Sequence, residues 1–132
     1  MRAGLEIFAA RLAATRLDDG ALTRMADAVT RMRANVDHLD AFVEADLAFH
    51  YELAAATGNA TLVELLQIVR SLLRVWVDRA VAEEEHATTA TDEHERVLDA
   101  IRTGDPDRAA SAMSAHMGTA SARLAGLATA AE

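Results

Sequence analysis

The sequence predicts an all-α fold, a compact antiparallel bundle of about six to seven helices. Three observations carry that reading. The chain has one proline, Pro106, and its six glycines are scattered, so the punctuation of a turn-rich β fold is missing. Alanine, leucine, arginine and glutamate, all good helix formers, recur throughout, and aromatics are only 4% of a chain that is 52% hydrophobic. Apolar residues return every third or fourth position, the spacing of one helical face. A length of 132 residues suits one compact domain and leaves no room for two.

The first helix is expected over Arg2–Thr15, with Leu5, Phe8, Ala9 and Leu12 on its apolar face, and Leu17-Asp18-Asp19-Gly20 breaks it. The second covers Ala21–Asn35 with the stripe Leu22, Met25, Ala26, Val29 and Met32. Asp37 or Asp40 is placed to cap the third, which carries Phe42, Phe49 and Leu53 and stops at Gly58. Asn59 is a natural N-cap for a longer fourth helix. Its Leu62, Leu65, Leu66, Val69, Leu73 and Trp76 form a face wide enough to predict a central position. Glu83-Glu84-Glu85 with Thr88, Thr89 and Thr91 reads as the next break, and the fifth helix runs to Arg102 with Val97, Leu98 and Ile101 inward. In Thr103-Gly104-Asp105-Pro106, glycine ends one helix, aspartate caps the next and proline takes its first turn. The last helix follows with Ala109, Met113, Met117, Ala120, Leu124 and Leu127. Met25, Met32, Met113 and Met117 read as core filler.

Composition excludes whole classes of function. Acidic residues outnumber basic ones 21 to 13, a net charge of −8, which is a poor basis for gripping a nucleic-acid backbone. With no cysteine, disulfides, thiolate zinc sites and cysteine nucleophiles are excluded. All 13 basic residues are arginine, which removes P-loop and Schiff-base chemistry, both lysine-dependent. No apolar run approaches the roughly 18 to 20 residues of a membrane span, and no signal peptide opens the chain, so a cytoplasmic protein without a membrane partner is expected.

Titratable residues on apolar faces are the informative ones. On a wheel of about 100° per residue, Asp46 and His50 fall within about 80° of Phe42, on the side that Phe49 and Leu53 occupy. They stack one turn apart. His94 lies inside the stripe of Val97, Leu98 and Ile101, and His116 inside that of Ala109, Met113 and Ala120. His38, between Asp37 and Asp40, and His86, after three glutamates, read instead as solvated. A single inward histidine is most often a hydrogen-bonded core residue. Three of them, with an aspartate that would be expensive to bury alone, form a good ligand set for a divalent transition metal, zinc or nickel first. The alternative is a metal-free Asp–His hydrogen-bonded core. Glu93 and Glu95 flank His94 and read as a solvated face, with support of the histidines from behind as the lesser reading. Arg70 and Arg74 lie at the edge of the fourth helix's apolar face, where they can pair with surface acids or reach into a cavity.

Four segments combine into a pattern: Arg2-x-x-Leu5-Glu6-x-x-Ala9-Ala10-x-Leu12-Ala13; Asp46-x-x-Phe49-His50-x-x-Leu53-Ala54-x-Ala56-x-Gly58-Asn59; Glu93-His94-x-x-x-Leu98-x-Ala100-Ile101-x-x-Gly104-Asp105; and Ala109-x-x-x-Met113-x-x-His116-Met117. Together they resemble the FadR C-terminal-domain (FCD) family, the all-helical effector-binding half of GntR-type bacterial transcription regulators. The resemblance covers essentially the whole chain. It implies metal ligation by Asp46, His50, His94 and His116, the residues that helix phase singles out independently. It also implies a small carboxylate effector beside the metal, assisted by arginine. Arg2 matches the motif's first-helix arginine and Asn59 its asparagine, and Arg70 and Arg74 are further candidates for binding the effector.

The family's winged helix-turn-helix domain has no match here, so residues 1–132 are read as a single effector- and metal-binding domain, with DNA contact belonging to the absent N-terminal half. The expected function is that of a sensor, not an enzyme: effector binding shifts the populations of bundle or dimer arrangements and so alters DNA binding by the intact regulator. Family habit and a wide helical face make a homodimer the expected assembly. Two other readings compete. A three-His, one-Asp metal site with open positions can activate water, as in a hydrolase or lyase, but no second base or nucleophile accompanies it. A metal-free structural or dimerisation bundle would use the same residues as a polar core.

Overall fold

A computed structural model describes residues 2–16 and 18–131, and side chains are described for all of these except 73, 75–78, 80, 124 and 127–131. Among the described residues every regular element is helical: α1 (Arg2–Arg16), α2 (Asp19–Ala34), α3 (Leu39–Ala56), α4 (Ala60–Ala80), α5 (Glu84–Arg102) and α6 (Pro106–Ala131). The fold is an all-α bundle.

Local chemistry explains most boundaries. Asp18 precedes α2 in an extended conformation, and its carboxylate accepts from the N–H groups of Gly20 (2.9 Å) and Ala21 (3.3 Å). Asn59 caps α4, its Oδ1 accepting from Leu62 N at 3.1 Å. Asp105 caps α6 by accepting from Asp107 N and Arg108 N, and Pro106 takes the first turn as expected. Gly58 and Gly104, with φ of 71° and 75°, end α3 and α5 in the left-handed region that glycine enters without strain. Two cap expectations are corrected. His38, not Asp37 or Asp40, stands at the α3 N-cap without a side-chain capping bond, and Asp40 lies inside the first turn. Thr88, Thr89 and Thr91 do not mark a break. They lie within α5, where the Thr91 hydroxyl donates back to the Ala87 carbonyl at 2.8 Å.

The packing order also differs from expectation. The helix with the most neighbours is α1, which packs against α3, α4, α5 and α6. Its buried face is Glu6, Ala9, Ala10, Ala13 and Ala14, whereas Phe8 is 49% exposed and Leu5 and Leu12 are only partly covered. Small side chains let the backbones come close, and that outweighs the size of the phenylalanine and leucines one strip away. The face that α4 turns to α1, α3 and α6 is narrower than expected: it buries Leu62, Leu66 and Val69 but leaves Leu65, Ile68 and Leu72 on its outer side, the last at 75% exposure. Leu17 lies outside the described residues, as do the side chains of Leu73, Trp76, Leu124 and Leu127. The main core joins α1–α6, with Phe49, Leu53, Met25, Met113 and Met117 among its members, and a smaller cluster of Met32, Phe42, Val43, Val81 and Ala87 closes one side. Met25, Met32, Met113 and Met117 are all buried, as core filler should be.

Candidate functional site

The centre of this apolar bundle is polar. From α3 come Asp46 and His50, stacked one turn apart; α5 supplies His94 and α6 supplies His116, and all four are buried. One ring nitrogen from each of the three histidines lies within 4.8 Å of those of the other two, a placement that could hold a metal ion. Phe49 packs its ring edge-on against His94 and His50 at centroid distances of 4.8 and 5.5 Å and excludes water from that side.

What each imidazole does with its outer nitrogen decides what it offers inward. His94 Nδ1 is 2.5 Å from the Ala90 carbonyl, which can only accept, so Nδ1 carries the proton. His50 Nδ1 donates to Glu6 Oε2 at 2.9 Å, and His116 Nδ1 donates to Glu93 Oε1 at 2.8 Å. Both carboxylates are ionised. Burial pushes Glu6 up, but His50, Arg70 and Arg2 outweigh it and hold the group well below the usual carboxylate range. Glu93 is likewise pushed up by burial and drawn down further by His116 and Arg123. Burial, and then the neighbouring His94, lowers His116 to about 4, so its ring is neutral near pH 7.

With the outer nitrogens committed in this way, a ring that carries a single proton turns its Nε2 lone pair inward. There the inner nitrogens of His50 and His94 meet each other and Asp46. His94 Nε2 is 3.0 Å from His50 Nε2 and 2.7 Å from Asp46 Oδ1, and His50 Nε2 is 3.3 Å from the same oxygen. Asp46 is ionised: burial alone would raise it, but Arg70, His50 and His94 hold it well below the ordinary range. Ring nitrogens and a carboxylate oxygen thus face one another at hydrogen-bond distance, which requires protons or a cation between them. Separations near 3 Å between donor atoms suit metal–nitrogen bonds of about 2.0–2.1 Å.

Behind the carboxylates stands Arg70 from α4, which donates through Nε to Glu6 Oε1 at 3.1 Å and through Nη1 to Asp46 Oδ2 at 3.4 Å. Its Nη2 is buried without a partner among the described residues, as is Nε of Arg2. The Arg2 pKa is lowered by burial and then by Arg70, so two guanidinium groups stand close together. Of the four candidate effector residues, the structure thus joins Arg2 and Arg70 to the cluster. Arg74 is exposed, and Asn59 is exposed and occupied with the α4 cap. His38 is exposed beside Asp37, as expected, whereas His86 is partly covered.

One contributor, Glu6, escaped the sequence reading as a partner of the histidines, and another, Glu93, takes the lesser of its two readings. Glu6 is fully buried, and Glu93, expected to be solvated, is only 8% exposed. Spacing held a signal for both. Glu6 precedes Ala9, Ala10 and Ala13 by three, four and seven positions, and Glu93 sits three after Ala90 and four before Val97. Glu95 does face solvent, where it pairs with Arg33.

Fold and site together define an all-α binding domain with a polar centre that offers three imidazoles, a carboxylate and two under-used arginines. The FCD domain family matches residues 1–119, and the chain belongs to that family. Its relatives are transcription regulators rather than enzymes. The chain is 32% identical to the HTH-type transcriptional regulator LutR of Bacillus subtilis (strain 168) over 121 residues, 86% of this chain and 54% of that one. It is 31% identical to the galactonate operon transcriptional repressor of Escherichia coli (strain K12) over 116 residues, 87% of this chain and 51% of that one. For the HTH-type transcriptional repressor NanR of E. coli (strain K12) the identity is 32% over 116 residues, 85% of this chain and 43% of that one. The chain therefore spans about half the length of these relatives. No described helix is long and apolar enough to cross a membrane.

Proposed function

We propose that this chain is the ligand-sensing domain of a GntR/FadR-type transcription regulator, binding a divalent metal ion and a small carboxylate effector that modulates DNA binding by the intact regulator. The observation that carries the metal is the inward convergence of ligand atoms: with each Nδ1 turned outward, the inner nitrogens of His50 and His94 meet each other and Asp46 Oδ1 at 2.7–3.3 Å, beside His116. Asp46, His50, His94 and His116 would hold the ion, with zinc or nickel suited to this ligand set. When bound, the metal supplies the positive charge the acceptors lack and open positions for an anionic oxygen. The chain's own residues do the rest. Glu6, Glu93 and the Ala90 carbonyl fix which nitrogen of each ring points inward. Arg2 and Arg70, each with a buried unpartnered N–H, are suited to a carboxylate by charge-assisted bonds. That one relative is a galactonate operon repressor fits a carboxylate ligand of the sugar-acid kind. As a bacterial regulator the intact protein would act in the cytoplasm, as a homodimer, reaching DNA through an N-terminal domain.

The first test is elemental analysis of tag-free protein purified without added metal. About one divalent ion per chain is expected, falling to a small fraction in His116→Ala. Protein that stays metal-free after reconstitution with zinc and with nickel would reduce the cluster to a polar core held by shared protons.

A further inference from the structure

The outer acceptors that orient the three imidazoles are not equivalent. The one serving His94 is the Ala90 carbonyl, part of the α5 backbone and unable to leave. For His50 it is Glu6, which is fully buried and held by Arg70 through its other oxygen. Glu93, which serves His116, is different: besides His116 it is held, among the described residues, only by side chains of α6, the Thr119 hydroxyl and Arg123 Nη2, the latter long at 3.5 Å. A crevice of about 200 Å³ opens beside it between α5 and α6, lined by Glu93, Arg96, Ala112, Ala115, His116 and Thr119. The carboxylate therefore has room to withdraw toward solvent, and His116 is the imidazole that faces that room.

Resting on the metal-centre reading above, we propose that Glu93 is the positioning residue that holds His116 in its inward-facing tautomer and that its position in the crevice wall sets how fast an ion leaves. While Glu93 accepts from Nδ1, the proton of the neutral ring stays on the outer nitrogen and the lone pair stays inward. Once Glu93 swings into the crevice, the bond that kept the proton on Nδ1 is lost. A proton on Nε2 then removes one of the lone pairs facing the centre and leaves Nδ1 to water. Release accordingly begins at His116, while His50 and His94 remain fixed by acceptors that do not move.

The test compares Glu93→Ala, Glu93→Gln and Glu93→Asp with Glu95→Ala, whose side chain is exposed and paired with Arg33 instead. Two quantities are read: the ring ¹⁵N signals of His116 in metal-free protein, and the rate at which zinc-loaded protein gives up zinc to a chromogenic chelator. Glu93→Ala should show mixed tautomers and release zinc about 10-fold faster or more, the scale on which partners of metal-bound histidines act. An amide carbonyl still accepts, so Glu93→Gln should keep the parental tautomer and most of the slow release. Glu93→Asp withdraws the carboxylate by one methylene and should fall between them, which preserves the comparison if the alanine variant does not fold. Glu95→Ala should match the parent. Parental ring signals or a parental release rate in the Ala and Asp variants would overturn the proposal. Should the parent take up no zinc at all, the metal reading falls, while the ring signals of the metal-free variants still uphold or overturn the positioning role.

Discussion

Two arginines in this bundle each bridge two carboxylates, and the pair makes an instructive contrast. On the surface, Arg33 of α2 reaches Asp92 and Glu95 of α5, both at 2.9 Å, with its side chain 45% exposed. In the interior, Arg70 of α4 reaches Glu6 of α1 and Asp46 of α3 at 3.1 and 3.4 Å with 6% exposed. Judged by distance, the surface bridge is the better one. Judged by consequence it is the lesser, because water screens it and would solvate each partner if the other were lost. The interior bridge has no such fallback: two buried carboxylates share the one guanidinium that bonds them both, and those same carboxylates orient or face the histidines. Burial, not bond length, separates an ornament of the surface from a condition of the site.

The largest effect should come from removing the interior guanidinium. Arg70→Met leaves Glu6 and Asp46 buried without the guanidinium that bonds them and should destabilise the protein by roughly 3–5 kcal/mol, measured by urea unfolding. A loss below about 1 kcal/mol would erase the contrast with the surface bridge. Acid offers a second, smaller lever on metal-stripped protein. The folded-state pKa of His116 is lowered to about 4, so as pH falls from about 6.5 the unfolded chain takes up the proton first. The stability this residue contributes is complete above about pH 6.5 and is lost as pH falls toward 4, on the order of 3 kcal/mol in all. Glu6 and Asp46, with folded-state values depressed still further, extend the loss below the ordinary carboxylate range. Thermal melts at pH 7, 5.5 and 4 check this, and a flat melting temperature between 7 and 5 would contradict it. The smallest effect belongs to the surface: Arg33→Ala should lower stability by less than about 1 kcal/mol and leave metal content per chain unchanged.

Much of this is legible in the sequence because much of it is local. Asn59 and Asp105 can be read as caps, since a cap needs only its own side chain and the next few N–H groups. The inward phase of Asp46, His50, His94 and His116 follows from helical period alone. What escapes depends on contacts far apart in the chain. Glu93 reads as solvated because acidic residues usually are; its partner His116 comes from another helix. Glu6 needs His50 and Arg70, which come from two more. The face of α1 misleads for a related reason: ranking positions by hydrophobicity favours Phe8 and Leu5, but helix separation in the assembled bundle selects Ala9, Ala10, Ala13 and Ala14. On α4 the wheel puts Leu65 in the core, whereas the neighbouring helices cover only the strip of Leu62, Leu66 and Val69.

That alanine face also sets a tolerance for everything beyond it. A glutamate side chain has a short, fixed reach, and Glu6 touches His50 only because α1 lies close against its neighbours. Separation between packed helices follows the bulk of the side chains at the contact. Replacing a methyl at Ala10 or Ala13 by an isopropyl or isobutyl group would push α1 outward, carrying Glu6 away from His50 without altering any charged residue. The chemistry of the centre thus has a mechanical prerequisite written in methyl groups, and substitutions that look purely steric should register there as a change in which nitrogen of His50 bears its proton.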